Sequence, residues 1–251
     1  IPLRLVGSEM CIRDSIQITG KVAMGGSTKN TVLVVTGTAE PNSSVTIYNS
    51  STSLGTTTAS GSGAWIFTTA TLSNGSTYSF NATATDGAGN ESVASASYSV
   101  TVDTGAPIAP VISTVTDDVD PITGTIASGG ITNDTVLLIA GTAEANSSVS
   151  VYDGVTSLGT TTANSSGAWS FTTDTLSNGS TYSFNATATD VAGNVSAASA
   201  NYTITVDTAA PDAPVITFVT EEVNPITGTI ANGGTTNDTV LLIAGTAEAY
   251  S

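Results

Sequence analysis

Oxygen is the only ligand chemistry that this sequence offers in number. It carries 20 Asp and Glu against 4 Lys and Arg, no His and one Cys, for a net charge of −16. Nucleophilic triads, zinc sites and disulfide frameworks each need His or Cys side chains in number, so they are nearly excluded. A surface this acidic repels nucleic acid and anionic lipid. Hard cations are its natural counterparts, and calcium takes about six to eight oxygens from Asp, Glu, Asn and backbone carbonyls. Three carboxylates fall within four residues at Asp117, Asp118 and Asp120, with Asn133 and Asp134 at the far end of the same loop.

The acidic residues return at a fixed interval. Gly-Thr-Ala-Glu stands at 37–40, at 141–144 and at 245–248, each 104 residues after the last. Between Gly37 and Pro110 the chain differs from its image at Gly141 to Pro214 at 18 of 74 positions, without insertion or deletion. Such a period means an array of one repeated domain. The 251 residues hold two copies and part of a third. The divisions are 17–106, expected to lack its first strand; 107–210, the complete copy; and 211–251, a partial copy. With 39% hydrophobic and 10% charged residues the chain can bury a core, and no run reaches the roughly 18 apolar residues of a membrane-spanning helix.

Residues 1–16 break the period, matching 105–120 only at Asp14. They hold the single Cys, Cys11, and both arginines, Arg4 and Arg13. Leu5 to Asp14 resembles a translated sequencing-adapter peptide, and the segment is set aside as foreign. A secretory signal is the competing reading, against which Arg4, Glu9 and Arg13 interrupt any apolar run. The natural N-terminus is expected to lie elsewhere.

The complete copy shows what must position the acidic residues. Trp169 and Phe171 share a face, as do Tyr182, Phe184, Ala186 and Ala188, and then Tyr202, Ile204 and Val206, with Ser, Thr and Asn between them. Alternation of period two marks half-buried antiparallel strands. No stretch has a helical period. About seven strands in roughly 100 residues, with turns every 8 to 12, predict an all-β chain of tandem immunoglobulin-like sandwiches. Trp65 and Trp169 are expected in the core, with exposed sugar-stacking as the alternative.

Strand parity places the loops. The turns at Glu144, Asn164 to Gly167 and Asp190 to Asn194 fall at the upstream pole, and the Asp117 to Asp134 loop and Asp207 at the downstream pole. In a tandem array these poles abut. Asp103 is thus expected to approach Glu144 and Asp190, and Asp207 to approach Glu248, giving a junction set beside the loop set. Asp190 has a competing reading, in which Asp-x-Ala-Gly-Asn forms a tight turn with Gly193 at positive φ. For the loop set the competing reading is a solvated acidic loop. The Asn-x-Ser/Thr triplets, such as Asn81-Ala82-Thr83, are read as compositional.

The residues after 17 resemble the bacterial Ig-like repeats that fill the stalks of giant Gram-negative surface adhesins exported by type I secretion. The resemblance rests on Thr116-Asp117-Asp118, Thr123 to Gly130, Gly141 to Glu144, Thr187 to Asp190 through Ala192-Gly193-Asn194, and Val206-Asp207-Thr208 with Ala210-Pro211. It implies calcium held by acidic side chains near domain junctions, neighbouring repeats as the partners, and a ligand met only through a tip domain elsewhere. It also implies an extracellular, cell-surface setting and a part in adhesion or biofilm formation. The family's Thr-Asp-Asp is here Thr132-Asn133-Asp134 and Thr236-Asn237-Asp238, and in the first copy Thr28-Lys29-Asn30, where a Lys repels a cation. The resemblance thus points to a non-catalytic stalk. The alternatives are spacer or sugar-binding modules of a large secreted polysaccharide-active enzyme.

Overall fold

The structure, a computed structural model, describes residues 17–18, 22–222 and 227–248; the segment 1–16 lies outside them. Every element among the described residues is a strand. The first repeat holds β1 (Gln17–Ile18), β2 (Ser27–Thr28), β3 (Val34–Thr38), β4 (Ser44–Asn49), β5 (Thr52–Thr58), β6 (Ala64–Thr68), β7 (Ser76–Thr85) and β8 (Tyr98–Val102). The second holds β9 (Val111–Asp117), β10 (Gly124–Ile126), β11 (Gly130–Thr132), β12 (Leu138–Thr142), β13 (Ser148–Asp153), β14 (Thr156–Thr162), β15 (Ala168–Thr172), β16 (Thr181–Thr189) and β17 (Tyr202–Val206). The third holds β18 (Val215–Glu221), β19 (Gly228–Ile230) and β20 (Leu242–Thr246).

The second repeat is a sandwich of two sheets, ordered β10-β9-β12-β15 and β11-β17-β16-β13-β14. It has nine strands where about seven are expected; the acidic loop contributes β10, where its residues near Ile122 to Ile126 already read as a short strand, and also β11. One pairing departs from the antiparallel expectation: β11 runs parallel to β17, with Thr132 opposite Val206. The chain leaves β10 in one sheet and joins the edge of the other, where it lies beside the last strand in the same direction.

The apolar faces meet between the sheets. Val115 and Ile139 from one sheet, with Leu137 just ahead of β12, pack on Val149, Val151, Phe184, Ala186, Ile204 and Val206 from the other, all fully buried. Each large side chain so buried contributes about 1.5–3 kcal/mol. Trp65 and Trp169 are only 5% and 4% exposed, which settles them as core residues. Tyr202 pins the acidic loop to the sandwich by donating from its hydroxyl to the Ile126 carbonyl at 2.5 Å, and Tyr98 does the same to Val22 at 2.6 Å.

The first and third repeats differ from the second in what covers their first sheet. In the first, β1 pairs with β3, placing Gln17 opposite Thr36 and Ile18 opposite Val35. The corresponding places in the second repeat belong to Thr114 and Val115 of β9. A two-residue strand thus stands where the first strand was expected to be absent, since β3 has backbone groups to pair. In the third, Leu241 and Ile243 are 38% and 61% exposed, whereas their images Leu137 and Ile139 are completely buried.

Gly141 marks the tightest approach in the second repeat. It sits at a register shift between β12 and β9, where an added Cβ would lie 1.9 Å from the Val111 carbonyl oxygen and 2.8 Å from the Trp169 ring. Both neighbours are rigid. Gly141→Ala is expected to destabilise the second repeat by about 1–3 kcal/mol, read from urea unfolding by Trp169 fluorescence in a Trp65→Phe background. An unchanged midpoint would contradict the packing described.

Candidate functional site at the repeat junction

The loop between β16 and β17 opens with Asp190 because a carboxylate can satisfy several backbone N–H groups of a tight turn at once. Asp190 Oδ1 accepts from the Asn194 N–H at 2.8 Å, and Oδ2 accepts from Asn194 Nδ2 at 2.8 Å. The turn is closed by Asp190 N–H to the Asn194 carbonyl at 3.0 Å, with Gly193 at φ +90°. This is the tight-turn reading of Asp190. Asp86 and Asn90 build the same turn in the first repeat, with Asn90 N–H and Nδ2 both at 2.8 Å from the carboxylate.

The two copies of this turn differ in surroundings. Asp190 and Asn194 are each 9% exposed, while Asn90 and its neighbours Gly87, Ala88 and Gly89 are exposed. What covers the second turn is the downstream pole of the first repeat. Asn194 Nδ2 donates to the Asp103 carbonyl at 2.9 Å, Lys29 Nζ donates to the Gly193 carbonyl at 2.8 Å, and Lys29 N–H donates to the Ala192 carbonyl at 3.2 Å. Asp103 therefore approaches the Asp190 turn as expected, but through its carbonyl and through Asn194. Its own carboxylate turns back to accept from the Gly105 N–H at 2.9 Å.

Glu144 is exposed and lines a shallow hollow with Ile108, Ala109, Val111, Thr142 and Ala143. At the next junction Asp207 Oδ1 accepts from Ala209 N–H at 3.0 Å and Glu248 Oε2 accepts from Asp212 N–H at 2.9 Å, both donors lying in the linker. Burial acts to raise the pKa of Asp190, but the hydrogen bonds from the Asn194 side chain and from the backbone of Asn194, Gly193 and Ala192 outweigh it and hold the carboxyl below its ordinary value. Asp86 is likewise held low, chiefly by the Asn90 side chain.

The loop set is organised around a buried threonine, Thr132, which the sequence marks only as the first residue of the Thr132-Asn133-Asp134 motif and not as a candidate ligand. Thr132 Oγ1 donates to Asp117 Oδ2 at 2.5 Å and accepts from the Asp134 N–H at 3.0 Å. Asp117 Oδ1 accepts from Val119 N–H at 2.8 Å. Asp134 accepts from Val136 N–H at 2.8 Å and from Asp118 N–H at 3.2 Å. Asp117, Thr132 and Asp134 are buried, whereas Asp118 and Asp120 are exposed. Asn133 donates inward, to the Asp120 carbonyl at 3.0 Å. The third repeat repeats the pattern with Glu221, Thr236 and Asp238. As the side chains lie, no three acidic groups gather around one point among the described residues. The carboxylates serve first as acceptors for backbone donors.

The family profile of the bacterial Ig-like domain matches residues 11–104 and 109–208. The chain belongs to the bacterial Ig-like domain family. The first match opens at residue 11, inside the segment set aside above. Among solved structures, this bacterial Ig-like chain is similar to the BSP domain of a biofilm-associated protein, at 23% identity and a TM-score of 0.28, covering 78% of this chain and 30% of that one. It is also similar to a Ca2+-stabilized adhesin with which an Antarctic bacterium reaches out and binds ice, at 19% identity and 0.38, covering 95% and 66%. A third is a 1.5-MDa bacterial ice-binding adhesin, at 17% and 0.35, covering 93% and 87%. The chain spans less than a third of the biofilm-associated protein. No curated protein matches. No helix among the described residues is long and apolar enough to cross a membrane.

The turn makes a pH prediction with a definite sign. A carboxyl held below its ordinary value of 3.8 in the folded state contributes stability above that value and loses it as pH falls through the lower, folded one. Asp190→Asn is expected to cost about 2 kcal/mol at neutral pH. Melting curves of wild type and variant should converge below the ordinary carboxylate range, and a gap that persists there would contradict the assignment.

Proposed function

We propose that this chain is a structural segment of a secreted cell-surface adhesin, a stalk of bacterial Ig-like repeats whose work is to hold a binding tip away from the cell. The observation that carries the reading is the junction, where one turn sequence is exposed in the first repeat and buried in the second by its neighbour. Repeats that bind one another pole to pole need no ligand site of their own, because each added copy lengthens the string. The partners in this reading are the neighbouring repeats, and attachment or biofilm formation depends on a tip outside this segment. Secretion by a type I route from a Gram-negative cell belongs to the same proposal.

Calcium is the proposed stiffening ion. A net charge of −16 favours cations. The residues that would hold it are Asp103, Glu144 and Asp190 at the first junction, Asp207 and Glu248 at the next, and Asp117, Asp118, Asp120, Asn133 and Asp134 in the loop. A bound ion would draw on carbonyls such as those of Asp120 and Asp103 as well as on carboxylates.

Small-angle scattering of the full chain with calcium and then with chelator tests the reading. An extended profile is expected throughout, stiffer when calcium is present. A compact profile in both conditions would overturn the stalk. An extended profile indifferent to millimolar calcium would remove the ion and leave the stalk.

A further inference from the structure

The residue at position 29 has images at 133 and 237, and the three are Lys, Asn and Asn. The first two repeats use this position differently. Asn133 turns into its own repeat and ties the acidic loop through the Asp120 carbonyl. Lys29 turns out of its repeat and ends on the Gly193 carbonyl of the next, at 2.8 Å, with its backbone N–H on the adjoining Ala192 carbonyl. Its methylenes run alongside Gly193, lying 3.9 to 4.0 Å from where a Cβ would stand. The next position changes too: Asp134 of the second repeat is Asn30 in the first. At these two places the pole that faces the second repeat has lost a carboxylate and gained an ammonium.

The surface it meets is built for a cation. Ala192 and Gly193 present consecutive carbonyl oxygens, and the Asp190 carboxylate lies in the same turn, already engaged by Asn194. A carbonyl oxygen accepts from an ammonium as readily as it ligates a hard metal ion, and an ammonium on a tether needs no free ion in solution. We propose that Lys29 acts as a built-in cation that clasps the first repeat to the second, so that this junction closes without a divalent metal ion and calcium at Asp103, Glu144 and Asp190 would only stiffen a contact already made. The inference deepens the stalk reading and rests on it for its biological meaning, but its chemistry is local.

The test is amide hydrogen exchange followed by mass spectrometry on the full chain in chelator, with the exposed turn 86–90 as an internal reference for the turn 190–194. After correction for intrinsic rates, wild type is expected to exchange at least about fivefold more slowly at 190–194 than at 86–90, the protection that one hydrogen bond of ordinary strength supplies. Lys29→Ala and Lys29→Asn should bring the two turns within about twofold of each other, and Lys29→Arg, which keeps the donors, should retain the difference. The clasp is overturned if wild type in chelator already exchanges equally at both turns, because the junction then needs a metal ion. It is equally overturned if Lys29→Ala stays as slow as wild type. Lys29 lies at the surface of its pole, outside the packed core, and unchanged exchange in β4 and β7 would show that the first repeat is still folded. Because exchange does not depend on overall shape, a compact scattering profile would sink the stalk and leave this comparison standing.

Discussion

A β-sandwich buries its apolar faces between two sheets and pushes its polar turns to two ends. When sandwiches are strung in one chain, those ends must meet, and every N–H and carbonyl drawn under the contact needs a partner. The arrangement of this protein follows from that demand. The Asp190 turn goes under the first repeat with its amide groups held by its own carboxylate and with the Ala192 and Gly193 carbonyls matched by donors from Lys29. The contact is made by these hydrogen bonds, and they define the docking.

The repeated sequence makes the protein its own control. Asp86 and Asp190 stand in nearly identical turns, and only one has a neighbour upstream among the described residues. The hydrogen bonds within the turn are the same in both. The carboxylate is therefore a turn-former first, whatever else it does, and the neighbour changes its exposure without changing its bonding. The loop around Thr132 obeys the same logic, with Asp117 accepting from the Thr132 hydroxyl and the Val119 N–H, and Asp134 from the Val136 and Asp118 N–H groups. Asp86, Asp190, Asp117 and Asp134 are thus structural acceptors, while Asp118, Asp120 and Glu144 stay exposed and leave a strongly negative surface.

Much of this could be read from the residues alone. The period of 104, the alternation in β16 and β17, the buried tryptophans and the positive φ of Gly193 all have local causes, and local causes are visible in a sequence. Parity also put the Asp190 turn beside Asp103. The misses have non-local causes. The parallel pairing of β11 with β17 depends on where a loop crosses between sheets, which no alternation reports. The role of Asn194 as the bridge, and of Thr132 as the hub of the loop, comes from three-dimensional proximity. Lys29 was read as a defect in a cation site because its charge has the wrong sign for a ligand; its length and its place at the pole make it a donor to the next repeat. The signal was present as a departure between copies, Lys where the others have Asn.

The central claim is that adjacent repeats are joined by specific polar contacts and tumble as one body. Residual dipolar couplings of backbone amides, measured in the full chain for the first and second repeats, test it most directly. The account predicts that both sets fit a single alignment tensor with the turn 190–194 held against Asp103 and Lys29. Two tensors of clearly different magnitude would mean that the repeats reorient independently, and would contradict it.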